Sequence, residues 1–229
     1  MIAQNLRIGV IGGGRMGSGI AHAYLLAGCE VALTEVSPVA LASALERIKK
    51  LVSASAQRGL LASDELEVLS RLTFYSSIDN LLDCNLVIEA IPEDLRLKSA
   101  ILKEIDNFLP EESILASNTS SISIDQLAAN LTHPERFLGL HFFNPVPASQ
   151  LVEIIRGGKT NSVVVDQAKA SVLSIKKTPI IVGDSPGFAS SRLGLVLGLE
   201  AIRMLEEGVA SAEDIDAAMH PRRCCRARH

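Results

Sequence analysis

The chain has no tryptophan, two tyrosines and six phenylalanines, so aromatic residues make up only 3% of it. Proteins that grip single-stranded nucleic acid need aromatic platforms along a basic groove. Here the platforms are scarce and the charge has the wrong sign: 26 acidic residues face 22 basic ones, a net of −4. Four of the basic residues, Arg222, Arg223, Arg226 and Arg228, crowd the last nine positions, and without them the balance is 18 to 26, a net of −8. Nucleic acid is therefore not an expected partner. No apolar run reaches the length of a membrane span. Cysteine is equally uninformative as a scaffold. Cys29 and Cys84 stand alone in apolar surroundings and Cys224 and Cys225 are adjacent, a usage with neither disulfide framework nor metal-ligand spacing. That fits a reducing compartment, and with no secretory leader ahead of the first strand the expected location is the cytoplasm.

What is present is 48% hydrophobic and 21% charged residue content over 229 positions, enough for one large globular domain or one domain and part of a second. The organising stretch is 6–21, LRIGVIGGGRMGSGIA. An apolar run, Ile8 to Ile11, is cut by glycines and followed by small and apolar residues at helical spacing, which reads as strand, tight turn, helix. Gly12, Gly14 and Gly17 fall on the G-x-G-x-x-G pattern. The first lets the chain turn sharply, the second lets backbone approach a pyrophosphate, and the third lets helix pack on strand. The phosphates then meet the unpaired N–H groups of the helix N-terminus, where the dipole favours negative charge. A second strand at 30–36 carries Glu35 at the spacing where a carboxylate accepts hydrogen bonds from an adenosine ribose and repels a 2′-phosphate. NAD is thus expected over NADP.

Along the chain, a helix is expected at 38–58 and another at 64–69, a helical excursion before a strand at 72–75. Its face carries Lys49, Lys50 and Arg58, which either solvate the helix or hold a phosphorylated ligand. Strands at 85–91, 113–117, 137–142, 151–155 and 178–182 alternate with helices at 95–109 and 161–176. That alternation predicts an α/β fold with a doubly wound, Rossmann-type parallel sheet, whose ligands bind beyond the carboxyl ends of the strands. Glu93, Asn118, Thr119, Ser120, His141 and Asn144 all fall just past such ends. The GDSPG cluster at 183–187 is the clearest boundary. The expected division is a nucleotide-binding domain at 1–184, the start of an all-helical domain at 185–219, and an irregular basic tail at 220–229. Helices are expected at 188–207 and at 211–219, the second with Ser211 as N-cap and Asp214 three residues on.

His141 is a histidine set among apolar strand residues at the ligand edge. Imidazole, with an ordinary pKa near ~6.5, is suited to exchange a proton with an alcohol at neutral pH. A hairpin-like return beyond the NPVP turn could bring Glu153 to its far nitrogen, fixing the tautomer. The alternative is a core histidine bonded to backbone. Ser120, in SNTSS, either makes a turn or offers its hydroxyl to a substrate oxygen, and Ser123 or Asp125 caps the short helix that follows.

These residues together resemble a known family. The glycine turn with MGxGIA, ASNTSS at 116–121, GLHFFNPVP at 139–147, LVEII at 151–155 and SPGF at 185–188 are similar to the L-3-hydroxyacyl-CoA dehydrogenases, the bacterial 3-hydroxybutyryl-CoA branch being the nearer. The resemblance spans about residues 6–219. It implies reversible NAD-dependent oxidation of an L-3-hydroxyacyl-CoA to the 3-oxoacyl-CoA, within fatty acid or butanoate metabolism. His141 matches the family's base, Glu153 its orienting carboxylate, and Ser120 and Asn144 the contacts to substrate and nicotinamide. Gly12, Gly14, Arg15, Met16, Gly17, Glu35, Glu93 and Lys98 match the cofactor site. Lys49, Lys50 and Arg58 become candidates for coenzyme A, as does Ser191, which stands where the family often carries asparagine before the arginine. Family members continue beyond the segment matching Asp214 to Asp216 into helices that complete the second domain and form the dimer. The tail here reads instead like an altered reading frame. The second domain is therefore expected to be incomplete, the apolar stripe Leu193, Val196, Leu197, Leu199, Ile202 and Leu205 to drive self-association, and catalysis to be weakened. An idle NAD- or CoA-binding remnant, or a sugar-acid dehydrogenase of the same architecture, are the other readings.

Overall fold

The computed structural model describes residues 6–219. The basic tail expected at 220–229 lies outside the described residues. Eight strands form one sheet: β1 (Arg7–Ile11), β2 (Glu30–Thr34), β3 (Leu72–Tyr75), β4 (Leu86–Glu89), β5 (Ile114–Ser117), β6 (Phe137–Phe142), β7 (Leu151–Arg156) and β8 (Thr178–Gly183). Their order is β3-β2-β1-β4-β5-β6-β7-β8. The chain starts near the middle, winds outward through β2 and β3, and returns to continue from β4 on the other side of β1, which is the reversal that opens a crevice above β1 and β4.

Strand β4 shows how the two layers arise. Leu86 and Ile88 join one buried cluster with Ile20 and Tyr24 of α1 (Arg15–Leu26) and Ile48 of α2 (Pro38–Gln57). Val87, between them, joins a second cluster with Leu102 and Ile105 of α4 (Leu95–Asp106). Successive side chains point to opposite faces, so a continuous apolar run is required only where helices cover both. The remaining helices of this part are α3 (Glu65–Ser70), α5 (Ile124–Ala128) and α6 (Ser162–Ser174). Local signals set their starts: Ser37, Asp64, Asp94, Ser123 and Asn161 each accept a first-turn N–H. Ser123, of the two alternatives, is the cap of α5.

The sheet departs from the fully parallel arrangement in one place. β6 and β7 pair antiparallel, while the other neighbouring strands pair parallel. The segment joining Phe142 to Leu151 holds no helix. A parallel partner needs a crossover of a dozen residues or more, and this link is too short to make one. Two strands are also shorter than their apolar runs, because side chains take over the ladder. Glu89 accepts the N–H of Ile91 at 2.8 Å, and Glu35 turns its carboxylate to Gly13 while Val36 points into solvent.

The chain divides into two compact units, the first ending at Phe188 and the second beginning at Ala189. The second contains α7 (Ser190–Glu206) and α8 (Ala212–Met219). Ser211 Oγ accepts the Asp214 N–H at 3.2 Å and donates to its carboxylate at 2.7 Å. No residue of α7 is buried, and Leu193, Val196, Leu197, Leu199, Ile202 and Leu205 are each half or more exposed. Among the described residues no helix is long and apolar enough to cross a membrane.

Candidate active site

The glycine turn is built as its sequence requires. Gly12 has φ +96°, and a Cβ there would lie 2.9 Å from the Ala90 carbonyl oxygen. At Gly17 a Cβ would lie 1.8 Å from the Gly12 carbonyl oxygen, so no larger residue lets α1 approach β1. Gly14 is different: nothing stands within 4 Å of its Cβ position, which leaves that side open to a ligand. Gly14 is also the N-cap of α1, with no side-chain cap and no acidic residue in the first turn. Exposed Arg15 and half-buried Met16 begin the helix. Its first N–H groups thus have no side-chain cap among the described residues, and a diphosphate suits them.

Three side chains hold the turn. The Gly13 N–H donates to Glu35 Oε1 at 2.7 Å, and its carbonyl accepts from Ser18 Oγ and from Arg47 Nη2, both at 2.7 Å. Arg47 escaped the sequence reading. It follows buried Ala44 by three residues and so shares its helix face, but only the fold reveals that this face meets Gly13. Beside Glu35 lies a cavity of about 290 Å³, lined by Ile11, Val36, Ile78, Ile91 and Ile101. Thr34 also faces it, and Thr34 Oγ1 is buried with no hydrogen-bond partner among the described residues. An apolar slot with a carboxylate and an orphan hydroxyl fits an adenosine. The cofactor implied by the glycine turn therefore matches what is there.

A second cavity, of about 340 Å³, opens over the ends of β4, β5 and β6 and is lined by Met16, Glu93, Ser120, His141, Phe143 and Asn144, among others. Glu93 organises one wall. Its Oε1 accepts from Thr119 Oγ1 at 2.6 Å, from the Ser120 N–H at 2.9 Å and from the Ser121 N–H at 3.1 Å, and its Oε2 pairs with Lys98 Nζ at 3.3 Å. Burial alone would raise its pKa. The Thr119 and Ser120 hydrogen bonds and the Lys98 charge outweigh it and bring the carboxyl down to about 2.

Lys98 is not among the residues that line this cavity. Its side chain is 1% exposed, and it donates to Glu89 Oε1 at 2.6 Å and to the Ile91 carbonyl at 3.2 Å. Such a buried cation is tolerated only with its partners in place, and its effect on the site passes through Glu93. Glu89, also fully buried, accepts from Ser117 Oγ at 2.5 Å and so links β4 to β5 beneath the cavity. In the sequence Glu89 is passed over inside an apolar run, and its buried partners show only in the fold.

His141 and Glu153 face each other as register partners of β6 and β7. His141 Nδ1 lies 2.7 Å from Glu153 Oε2, with the carboxylate fully buried and the imidazole nearly so. With Nδ1 engaged, Nε2 is the nitrogen left for the cavity. The hairpin-like return is thus a two-stranded ladder, more rigid than a loop.

Three of the remaining candidates, Lys49, Lys50 and Arg58, are not gathered here. Lys49 pairs with Glu46 at 3.4 Å on the exposed face of α2, and Lys50 is exposed on the same helix. Arg58 instead lines a separate cavity with Lys176 and Lys177, one with no carboxylate in its wall among the described residues. Ser191 lies in the first turn of α7, in the second unit.

Comparison with known proteins agrees with this geometry. Residues 7–185 match the family model "3-hydroxyacyl-CoA dehydrogenase, NAD binding domain" and residues 187–223 match "3-hydroxyacyl-CoA dehydrogenase, C-terminal domain". The chain is 41% identical to a 3-hydroxybutyryl-CoA dehydrogenase of Bradyrhizobium diazoefficiens over 220 residues, covering 96% of this chain and 75% of that protein. Against the protein of the same name from Clostridioides difficile it is 37% identical over 215 residues, 93% of this chain and 76% of that one. The crystal structure of (S)-3-hydroxybutyryl-CoA dehydrogenase from Ralstonia eutropha superposes with a TM-score of 0.86 at 39% identity, covering 91% of this chain and 74% of that chain. With the glycine turn, the adenosine slot and the histidine–glutamate ladder all in one unit, the chain belongs to the 3-hydroxyacyl-CoA dehydrogenase family.

Proposed function

We propose that the protein interconverts an L-3-hydroxyacyl-CoA and its 3-oxoacyl-CoA, with His141 as the proton-transfer group. The observation that carries this reading is the 2.7 Å His141–Glu153 contact on the wall of a cavity that also holds Ser120 and Asn144. NAD, when bound, supplies the acceptor for the hydride that leaves the carbinol carbon. His141 Nε2 takes the hydroxyl proton, and Glu153 keeps the proton on Nδ1 and stabilises the imidazolium that results. Ser120 Oγ and the Asn144 amide orient the substrate oxygen, and Glu93 keeps the Ser120 loop in place. The α1 N-terminus with Gly12, Gly14, Arg15, Met16 and Gly17 holds the diphosphate, and Glu35 the ribose. The names of the relatives support a short acyl chain. Arg58, beside Lys176 and Lys177, is the strongest of the candidates for the anionic end of coenzyme A.

The test is NADH consumption with acetoacetyl-CoA and, in parallel, with a 3-oxo acid lacking the thioester. Turnover with the thioester is expected. Bound NADH with no turnover would leave the remnant reading, and turnover with the free acid alone would move the substrate to another class. Cofactor choice has its own test. Replacing Glu35 by alanine removes a charged acceptor worth about 1.5–3 kcal/mol, so KM for NADH is expected to rise roughly tenfold or more while the preference over NADPH narrows. An unchanged NADH to NADPH ratio would remove Glu35 from the ribose.

The exposed apolar residues of α7 form a face that a second copy of this chain would cover. Sedimentation equilibrium is expected to give a mass that rises with micromolar concentration; a constant monomer mass would refute the pairing. Cys29 and Cys84 are buried and form no disulfide, which supports a cytoplasmic setting; enrichment in an oxidising compartment on cell fractionation would contradict it.

A further inference from the structure

The first unit ends on a residue in an unusual state. Phe188 has φ +49° and follows Gly187 at φ +74°, so two consecutive residues occupy left-handed backbone. Glycine adopts that region freely, but a bulky aromatic residue does so only when its surroundings compel it. The Phe188 N–H donates to the Ser185 carbonyl at 2.8 Å, closing a tight turn. Its side chain is 3% exposed and belongs to the same buried cluster as Ile124, Phe137 and Ile155. The ring also lies against the His141 imidazole, with centroids 5.8 Å apart and planes tilted by 58°. Phe143 abuts the same imidazole at 4.4 Å.

These contacts meet a need that the carboxylate cannot. The hydrogen bond from Nδ1 to Glu153 fixes one corner of the imidazole but leaves the ring able to swing about that corner. Proton transfer at Nε2 is sensitive to such swings, because misplacement by about an ångström can cost 10²-fold in rate. Phe143 is itself only half-buried and lines the cavity, so it is free to yield to a ligand. Phe188 is the buried wall. We propose that Phe188 is a positioning residue: held in left-handed backbone at the end of the first unit, it fixes the plane of the His141 ring so that Nε2 faces the substrate oxygen. The inference rests on His141 being the proton-transfer group, and it adds the device that aims it.

The experiment replaces Phe188 by leucine and, separately, by methionine, both of which keep the site filled with apolar atoms and remove the ring. Turnover of acetoacetyl-CoA is normalised to the number of NADH-binding sites, so that unfolded protein does not count. The expected result is a kcat lower by about tenfold, KM values close to the wild type, and a larger solvent deuterium isotope effect, as proton transfer becomes slower relative to other steps. A loss that disappears on normalisation, or a kcat unchanged in both variants, overturns the proposal. A second measurement needs no turnover and so separates this inference from the proposed reaction. With ring-labelled histidine, and the His141 signal among the five histidines assigned from a His141→Gln spectrum, the His141 resonance is expected to shift and broaden when the Phe188 ring is removed. A resonance unchanged in position and width overturns the proposal, even if the wild type proves inactive on acyl-CoA.

Discussion

Replacing His141 by glutamine lowers kcat for acetoacetyl-CoA reduction by about 10³-fold, the middle of the range for a positioned general acid or base. That is about 4 kcal/mol of transition-state stabilisation. Glutamine preserves much of the volume and polarity of histidine but cannot carry a proton at neutral pH. The adenosine slot and the glycine turn lie on other segments and are untouched, so NADH affinity, read from nucleotide fluorescence, stays near the wild-type value. The pairing of a large loss in kcat with an unchanged NADH affinity is what identifies a group acting in the chemical step. A variant within about threefold of the wild-type kcat would show that another group moves the proton.

Glu153→Gln should cost about 10²-fold in kcat, the lower end of the range for acid–base catalysis. The substitution is nearly isosteric, so β6 and β7 keep their register. What changes is the hydrogen-bond logic at a fully buried site. The carboxylate can only accept, which holds the proton on Nδ1 and leaves Nε2 able to take another. An amide can turn its NH2 toward Nδ1, which shifts the ring proton to Nε2 and fills the working position. The imidazolium also loses its counter-charge. Measuring kcat and NADH affinity across pH 6 to 9 for both proteins checks this: if Glu153→Gln matches the wild type throughout, the carboxylate has no part in setting the tautomer.

The features legible in the sequence were those in which one residue type answers to one local geometry. Gly12 and Gly17 show the positive φ and the close approach that no Cβ would permit, and the capping residues Ser123 and Ser211 mark helix starts. The His141–Glu153 pair was reachable because both lie on short strands joined by a turn. What escaped depends on contacts between distant segments. Lys98 is nine residues from Glu89, and nothing local says that its ammonium is buried rather than offered to a ligand. The antiparallel β7 was foreshadowed only by the hairpin-like return expected beyond the NPVP turn, since the alternation of strand and helix on either side reads as parallel. Phe188 falls in an apolar run that reads as the start of a helix, yet α7 begins only at Ser190. Its left-handed φ is imposed by the turn from Ser185 and by the buried site that receives its ring, neither of which has a signature in the order of residues.

Because His141 and Glu153 are cross-strand neighbours, their meeting depends on the ladder and not on the loop that joins the two strands. A slip of one residue would send Glu153 to the opposite face of the sheet, and the hydrogen bonds on both sides of the pair oppose it. Beyond Phe143, Asn144 and the buried Val146, the exposed residues Pro147 and Ala148 can therefore change in composition while the acid–base pair is left intact. This is the place where this architecture tolerates variation without rebuilding its chemistry.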